Sequence, residues 1–244
     1  MTRAKVLAQY KPIRAGIQRV LREAGAACNP TELKRAVRQV APWAEPRFLN
    51  SPAAIEMLTD VALFEPNQRG RCGFDRFLAE RGTRLDTADR TLAERMAAAW
   101  FSIFHVADRH EAAGLWLEDM LDERPRLWLV DKALETSASE GLVIGMRLFD
   151  AGPFHAGFGI VVQPDEETLH LCQTTRANGH STPFRQSIPA TLYGDKLRAE
   201  APAEALDPEL LRTLFEILHP DFAVPDKAGG GLSARRGRRL SAKK

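Results

Sequence analysis

Between residues 102 and 162, five short runs follow one another at close spacing: SIFHVAD, GLWLEDML, RLWLVD, GLVIGMRLF and FHAGFGIVV. Each is rich in β-branched or aromatic residues and is bounded by turn-forming ones, which is the pattern of strands. In LVIGMRLF, Leu142, Ile144, Met146 and Leu148 share one face at period two. Five strands so short and so close together predict a small barrel or a strongly curved sheet. ETLHLCQTT (167–175) reads as a sixth strand.

The first hundred residues follow a different period. Asn29-Pro30 pairs an N-cap with a proline at the first helical position, ahead of TELKRAVRQV, and Ser51-Pro52 repeats the device ahead of AAIEMLTDVALF. Pro12 reads as the opening of a helix with Ile13, Ile17, Val20 and Leu21 on one stripe. Asp86 and Asp89 form an acidic first turn for a helix in which Leu92, Met96 and Trp100 recur. Residues 176–205 read as loop, with one short strand near SIPATLY. Asp207-Pro208 then opens a helix with an apolar stripe at Leu210, Leu211, Leu214, Phe215 and Leu218, which His219-Pro220 ends. The expected architecture is α+β: a helical region (1–100), a small curved antiparallel barrel-like module (101–175), loop plus a C-terminal helix packing back (176–220), and a disordered basic tail (221–244).

Composition adds a charge layout. The chain has 244 residues, 44% hydrophobic and 27% charged, ordinary values for a protein with a sizeable core. No apolar run approaches the roughly 18 residues of a membrane span, and the N-terminus has neither the apolar stretch of a secretory signal nor the serines of a transit peptide. Cys28, Cys72 and Cys172 are odd in number and far apart, which fits a reducing cytoplasm. The net charge of +2 conceals segregation. Residues 1–40 hold nine Lys/Arg against two acids, and residues 227–244 hold seven Lys/Arg and no acid. Two basic ends of +7 each therefore flank a body of −12.

The glycine-dense GPFHAGFG does not match a phosphate-binding loop, because it lacks the GxGxxG or GxxxxGK[ST] order and is followed by strand-like residues. Phe154, Ala156, Phe158, Ile160 and Val162 alternate onto one face, with His155, Gly157, Gly159 and Val161 on the other. Glycines in such a strand mark a bend or a close approach of backbone. His155 is the residue this account does not require. A pocket formed by His155, Arg147 across the Asp150–Pro153 turn and Asp75 from the FDRFL helix is the alternative. His170 and Cys172 have HxC spacing but lack the four ligands of a structural zinc, so no metal and no cofactor is expected. Asp75, Arg76, Glu80, Arg81, Glu94 and Arg95 read as solvated helix faces or i,i+4 pairs.

The order ALFEPNQRGRCGFDRFLAERG, AERMAAAWFSIFHV, GLWLEDMLDERPRLWLVDKAL, SASEGLVIGMRLF and GPFHAGFGIVV (62–162) resembles an uncharacterised bacterial family related to SEC-C-motif proteins. Its members place two helices before a small β-module, and some end in a cysteine-rich zinc-binding tail. This tail is arginine and lysine instead, so the resemblance implies neither zinc nor any catalytic residue.

The function expected from these features is that of a cytoplasmic, non-enzymatic binding protein that meets RNA or DNA, or a ribonucleoprotein, through its basic ends. The contacting residues would be Arg14, Arg19, Arg22, Lys34, Arg35 and Arg38, with Arg235, Arg236, Arg238 and Arg239 in the tail. One alternative is a protein-interaction or self-association module using the acidic body, and another is an enzyme with a pocket near His155. No membrane partner is expected.

Overall fold

The computed structural model describes residues 1–44, 49–177 and 181–200. The chain divides into two units, Met1–Leu206 and Asp207–Lys244, and every described residue belongs to the first. The expected helix over 208–218 and the basic tail with Arg235, Arg236, Arg238 and Arg239 lie outside the described residues.

Among the described residues five α-helices come first: α1 (Arg3–Ala26), α2 (Pro30–Val40), α3 (Pro52–Phe64), α4 (Gly73–Arg81) and α5 (Thr87–Ala97). The cap signals act as the sequence implies. Asn29 accepts from the Thr31 amide at 2.8 Å while Glu32 reaches back to the Asn29 amide at 3.0 Å, a reciprocal cap. Ser51 accepts from the Ala54 amide, and Asp86 from the Asp89 amide. Pro12 does not open α1 but lies inside it. Its missing N–H costs one helical bond, and burial of Val6 and Tyr10 before it and of Ile17 and Val20 after it holds the helix across the gap.

The barrel is closed by five strands in the order β1-β2-β3-β5-β4: β1 (Trp100–Arg109), β2 (Leu115–Asp119), β3 (Leu127–Leu129), β4 (Val143–Asp150) and β5 (His155–Val162). Four pairings are antiparallel, while β3 meets β5 in parallel at Leu129 and His155, so the barrel is mixed. A short helix, α6 (Lys132–Ser137), separates β3 from β4. Phe104, Leu117, Leu129, Ile144, Met146 and Leu148 fill the interior, and the period-two face of β4 is the inward one. The outward residues take the helices. Phe101, Ile103 and Val162 pack with α2, α3 and the helix over 181–200. Phe149, Ala156 and Phe158 pack with α1, α4 and α5. Phe64 stands between, 4.6 Å from the Phe74 ring and 4.9 Å from Phe158 by centroid. Each such buried ring stabilises the fold by roughly 1.5–3 kcal/mol.

In β5, the glycines mark shape, as expected. The β4–β5 register shifts between Gly145 and Arg147, and Gly159 adopts φ +75° there. Gly159 thereby leaves the His155 face: a Cβ would lie 3.4 Å from Asp60 Oδ1 and 3.5 Å from the Tyr193 hydroxyl.

Two segments after the barrel differ from expectation. The run read as a sixth strand is helical, α7 (Glu166–Ala177), and the run read as loop is α8 (Ser181–Glu200). Asp165 accepts from the Thr168 amide at 2.7 Å and Glu166 and Glu167 occupy the first turn, so the start signals of α7 outweigh a brief alternation. In α8, Ile188, Leu192, Tyr193 and Leu197 are buried at helical spacing. Gly194 lets α8 approach α2, since a Cβ would lie 2.4 Å from the Val40 carbonyl oxygen.

Candidate binding groove

The tertiary structure sorts the six basic residues of α1 and α2 into two groups. Arg14 is half-buried, with Nη1 3.4 Å from the Gly157 carbonyl on the barrel. Arg19 makes a two-point ion pair with the buried Asp89, at 2.8 and 2.7 Å. Arg35 donates to the carbonyls of Val61, Ala62, Glu65 and Pro66, capping the C-terminus of α3. These three are committed to the fold. Arg22, Lys34 and Arg38 are exposed and, among the described residues, have no ion-pair partner.

Those three cations border one groove. It encloses about 740 Å³ between α1, α2 and α3. Leu21, Leu33, Val37, Leu49, Ile55 and Leu58 supply its apolar lining. Ile55 is 52% exposed, one of three large apolar side chains so placed among the described residues. Gly25 and Ala26 keep the α1 side low. A second cleft of about 720 Å³ adjoins the groove, sharing Leu21, Arg22, Ile55 and Thr59 and running on to Gln18, Glu56, Phe158 and Gly159. The furrow is thus basic at its α2 end and carries Glu56 at the other.

The wall of the second cleft includes Asp60, which belongs to a buried ionic cluster that the sequence reading missed. Arg147, 2% exposed, reaches out of the barrel wall to Asp60 and to Glu65 Oε1 at 3.0 Å. The Tyr193 hydroxyl donates to Asp60 Oδ2 at 3.3 Å. Glu65 Oε2 is buried and, among the described residues, has no hydrogen-bond partner. Burial lifts the Glu65 carboxyl to about 7 against the pull of Arg147, and burial also raises the Tyr193 phenol well above its usual value. The signal for this cluster was a single charge set in an apolar run: Asp60 in MLTDVALF and Arg147 in IGMRLF.

The pocket expected from His155, Arg147 and Asp75 does not form. In the β4–β5 ladder Arg147 faces Phe158 and His155 faces Asp150, and the Arg147 guanidinium points to α3. Strand parity separates odd residues of β4 from the inner face of β5. Asp75 sits exposed in the first turn of α4. His155 instead packs edge-on against Trp100, with ring centroids 5.8 Å apart, and burial lowers its pKa so that it is neutral at pH 7. It lines neither cleft.

Other residues also find places. Trp116 and Trp128 are cross-strand neighbours and half-buried, and the His110 ring stacks on Trp128 at 3.9 Å. Arg76 pairs with Glu32 and Glu80, and Glu94 with Arg90, so the charge-dense helices are laced by ion pairs. Arg81 is half-buried in the last turn of α4, and Arg95 bonds the Asp150 carbonyl. Burial raises the Cys28 and Cys72 thiols to about 11, so both stay protonated and weakly nucleophilic. His170 lies exposed on α7.

The model of a family of unknown function (DUF7986) matches residues 5–170. This chain belongs to that family. The matched span holds every groove residue together with Asp60, Glu65 and Arg147, and stops before Tyr193. No curated protein and no solved structure matches the chain. Among the described residues, no helix is long and apolar enough to cross a membrane.

Proposed function

We propose that this protein is a cytoplasmic binding module that engages an acidic segment of a partner protein in the groove between α1, α2 and α3. The supporting observation is the placement of Arg22, Lys34 and Arg38. Three neighbouring cations, each without an ion-pair partner among the described residues, border an apolar furrow instead of an open polar face. Exposed cations attract anions and orient their approach, while the aliphatic floor rewards burial of apolar side chains. Nucleic acid would use the cations but leave Ile55, Leu33 and Val37 without apolar partners. A polypeptide carrying both acids and aliphatic residues uses both. Dispersed thiols that stay protonated suit a reducing compartment.

The test is fluorescence anisotropy with the full chain, using a labelled Glu/Leu-rich peptide and, separately, a labelled single-stranded RNA, across a salt series. The comparison protein is Arg22→Glu/Lys34→Glu/Arg38→Glu. Peptide binding that weakens with salt and is lost in the triple reversal supports the reading. Equal peptide affinity in both proteins overturns it. RNA binding that exceeds peptide binding and is lost in the triple reversal replaces it with a nucleic-acid function.

A further inference from the structure

The groove has a shape as well as a charge, and the shape selects among acidic segments. Its walls are helices. Leu21 and Gly25 stand four apart on α1, Leu33 and Val37 four apart on α2, and Ile55, Leu58 and Thr59 form the facing ridge of α3. Rows four apart are the ridges into which another helix packs, at an axis separation of roughly 8–10 Å. Gly25 and Ala26 remove the side chains that would block so close an approach. A Cβ at Gly25 would meet only Thr59 Cγ2, at 3.6 Å, so the space above it is open. The adjoining cleft lengthens the furrow along α1 from Arg22 back to Gln18, which suits an extended rod better than a compact ligand.

We propose that the occupant is an amphipathic α-helix of a partner protein, with its aliphatic stripe on Leu33, Val37 and Ile55 and its acidic flank over Arg22, Lys34 and Arg38. This rests on the function proposed above and deepens it. A helix laid in a groove is recognised through anchors at i, i+3, i+4 and i+7, so the spacing of the leucines matters and not only their number. Glu56 at the far end disfavours acids there, which sets the acidic flank toward α2.

The test compares two labelled peptides of identical composition: one with leucines at helical stripe spacing among glutamates, the other with the same residues scrambled. They are titrated against the full chain, against Ile55→Glu, and against Gly25→Leu, which fills the furrow without changing charge. Thermal unfolding of each variant checks that it is folded. The striped peptide is expected to bind at least about tenfold tighter than the scrambled one, a gap of about 1.4 kcal/mol. Ile55→Glu and Gly25→Leu each abolish that gap. Equal binding of the two peptides to the wild type, still lost on reversing Arg22, Lys34 and Arg38, overturns the helix while leaving the acidic-partner function standing. A striped-over-scrambled gap that persists in folded Gly25→Leu places the helix elsewhere and also overturns the proposal. Indifference of both peptides to the charge reversal removes the function as well.

Discussion

The Arg147 guanidinium on β4 holds the Asp60 carboxylate on α3 at two points, Nε to Oδ1 at 2.9 Å and Nη2 to Oδ2 at 3.0 Å. Eighty-seven residues separate them in the chain, and both are almost wholly buried. The pair ties the barrel to the helix that forms one wall of the groove.

Removing Asp60 leaves the buried Arg147 with only Glu65, among the described residues, as counter-charge, and removing Arg147 leaves both buried carboxyls without their cation. Asp60→Ala is expected to cost about 3–5 kcal/mol of unfolding free energy, read by chemical denaturation. Replacing both with apolar residues, Asp60→Leu with Arg147→Met, should recover part of that loss, because neither charge then needs solvation and the Glu65 left behind can hold a proton and stay neutral. A strongly non-additive double-mutant cycle is the expected result. Additive losses would mean that the two side chains act independently.

Burial raises Glu65 to about 7 from 4.5, so between those values the folded chain holds a proton that the unfolded chain has released. The contribution of Glu65 to stability is therefore fullest below about pH 4.5 and is lost as pH rises through about 7. This single group contributes a loss on the order of 3 kcal/mol across that window. Glu65→Gln keeps a neutral side chain at every pH. The difference in stability between wild type and Glu65→Gln should grow toward neutral pH, and a difference independent of pH would refute the assignment.

Arg35 and its neighbours separate structural from exposed cations. Arg35→Met removes the guanidinium from four carbonyls near the end of α3, of which Val61 keeps the Glu65 amide as a donor. A loss of about 1.5–3 kcal/mol is expected. Arg22→Met, Lys34→Met and Arg38→Met each remove an exposed charge and should change stability by less than about 0.5 kcal/mol. Urea midpoints of the four variants make the comparison.

Two glycines of similar φ isolate the effect of close packing. Gly114 and Gly141 have φ of +86° and +84°. A Cβ at Gly141 meets nothing within 4 Å, whereas one at Gly114 would lie 2.0 Å from the Leu129 carbonyl oxygen. Gly141→Ala should cost only the left-handed backbone penalty of about 1–2 kcal/mol. Gly114→Ala should cost clearly more, since the β3 backbone must shift. Equal melting temperatures for the two variants would contradict this.

Much of this fold was legible locally. Asn29, Ser51 and Asp86 cap the helices that their positions announce, and the five strand runs appear in place, because caps and period-two faces depend on residues within a few positions of one another. The α7 and α8 segments were not legible locally: their apolar residues are few, and the burial of Tyr193 and Leu197 that stabilises α8 comes from distant α2 and β1. The site was less legible than the fold. Sequence alone determined that the N-terminal helices are basic and that β5 needs glycine. Only the tertiary structure decided that Arg19 and Arg35 are spent on Asp89 and the end of α3, that Arg147 faces Asp60 and not His155, and that Arg22, Lys34 and Arg38 share a groove. Charge is a property of composition, but its availability depends on which partners the packed chain brings within a few ångströms.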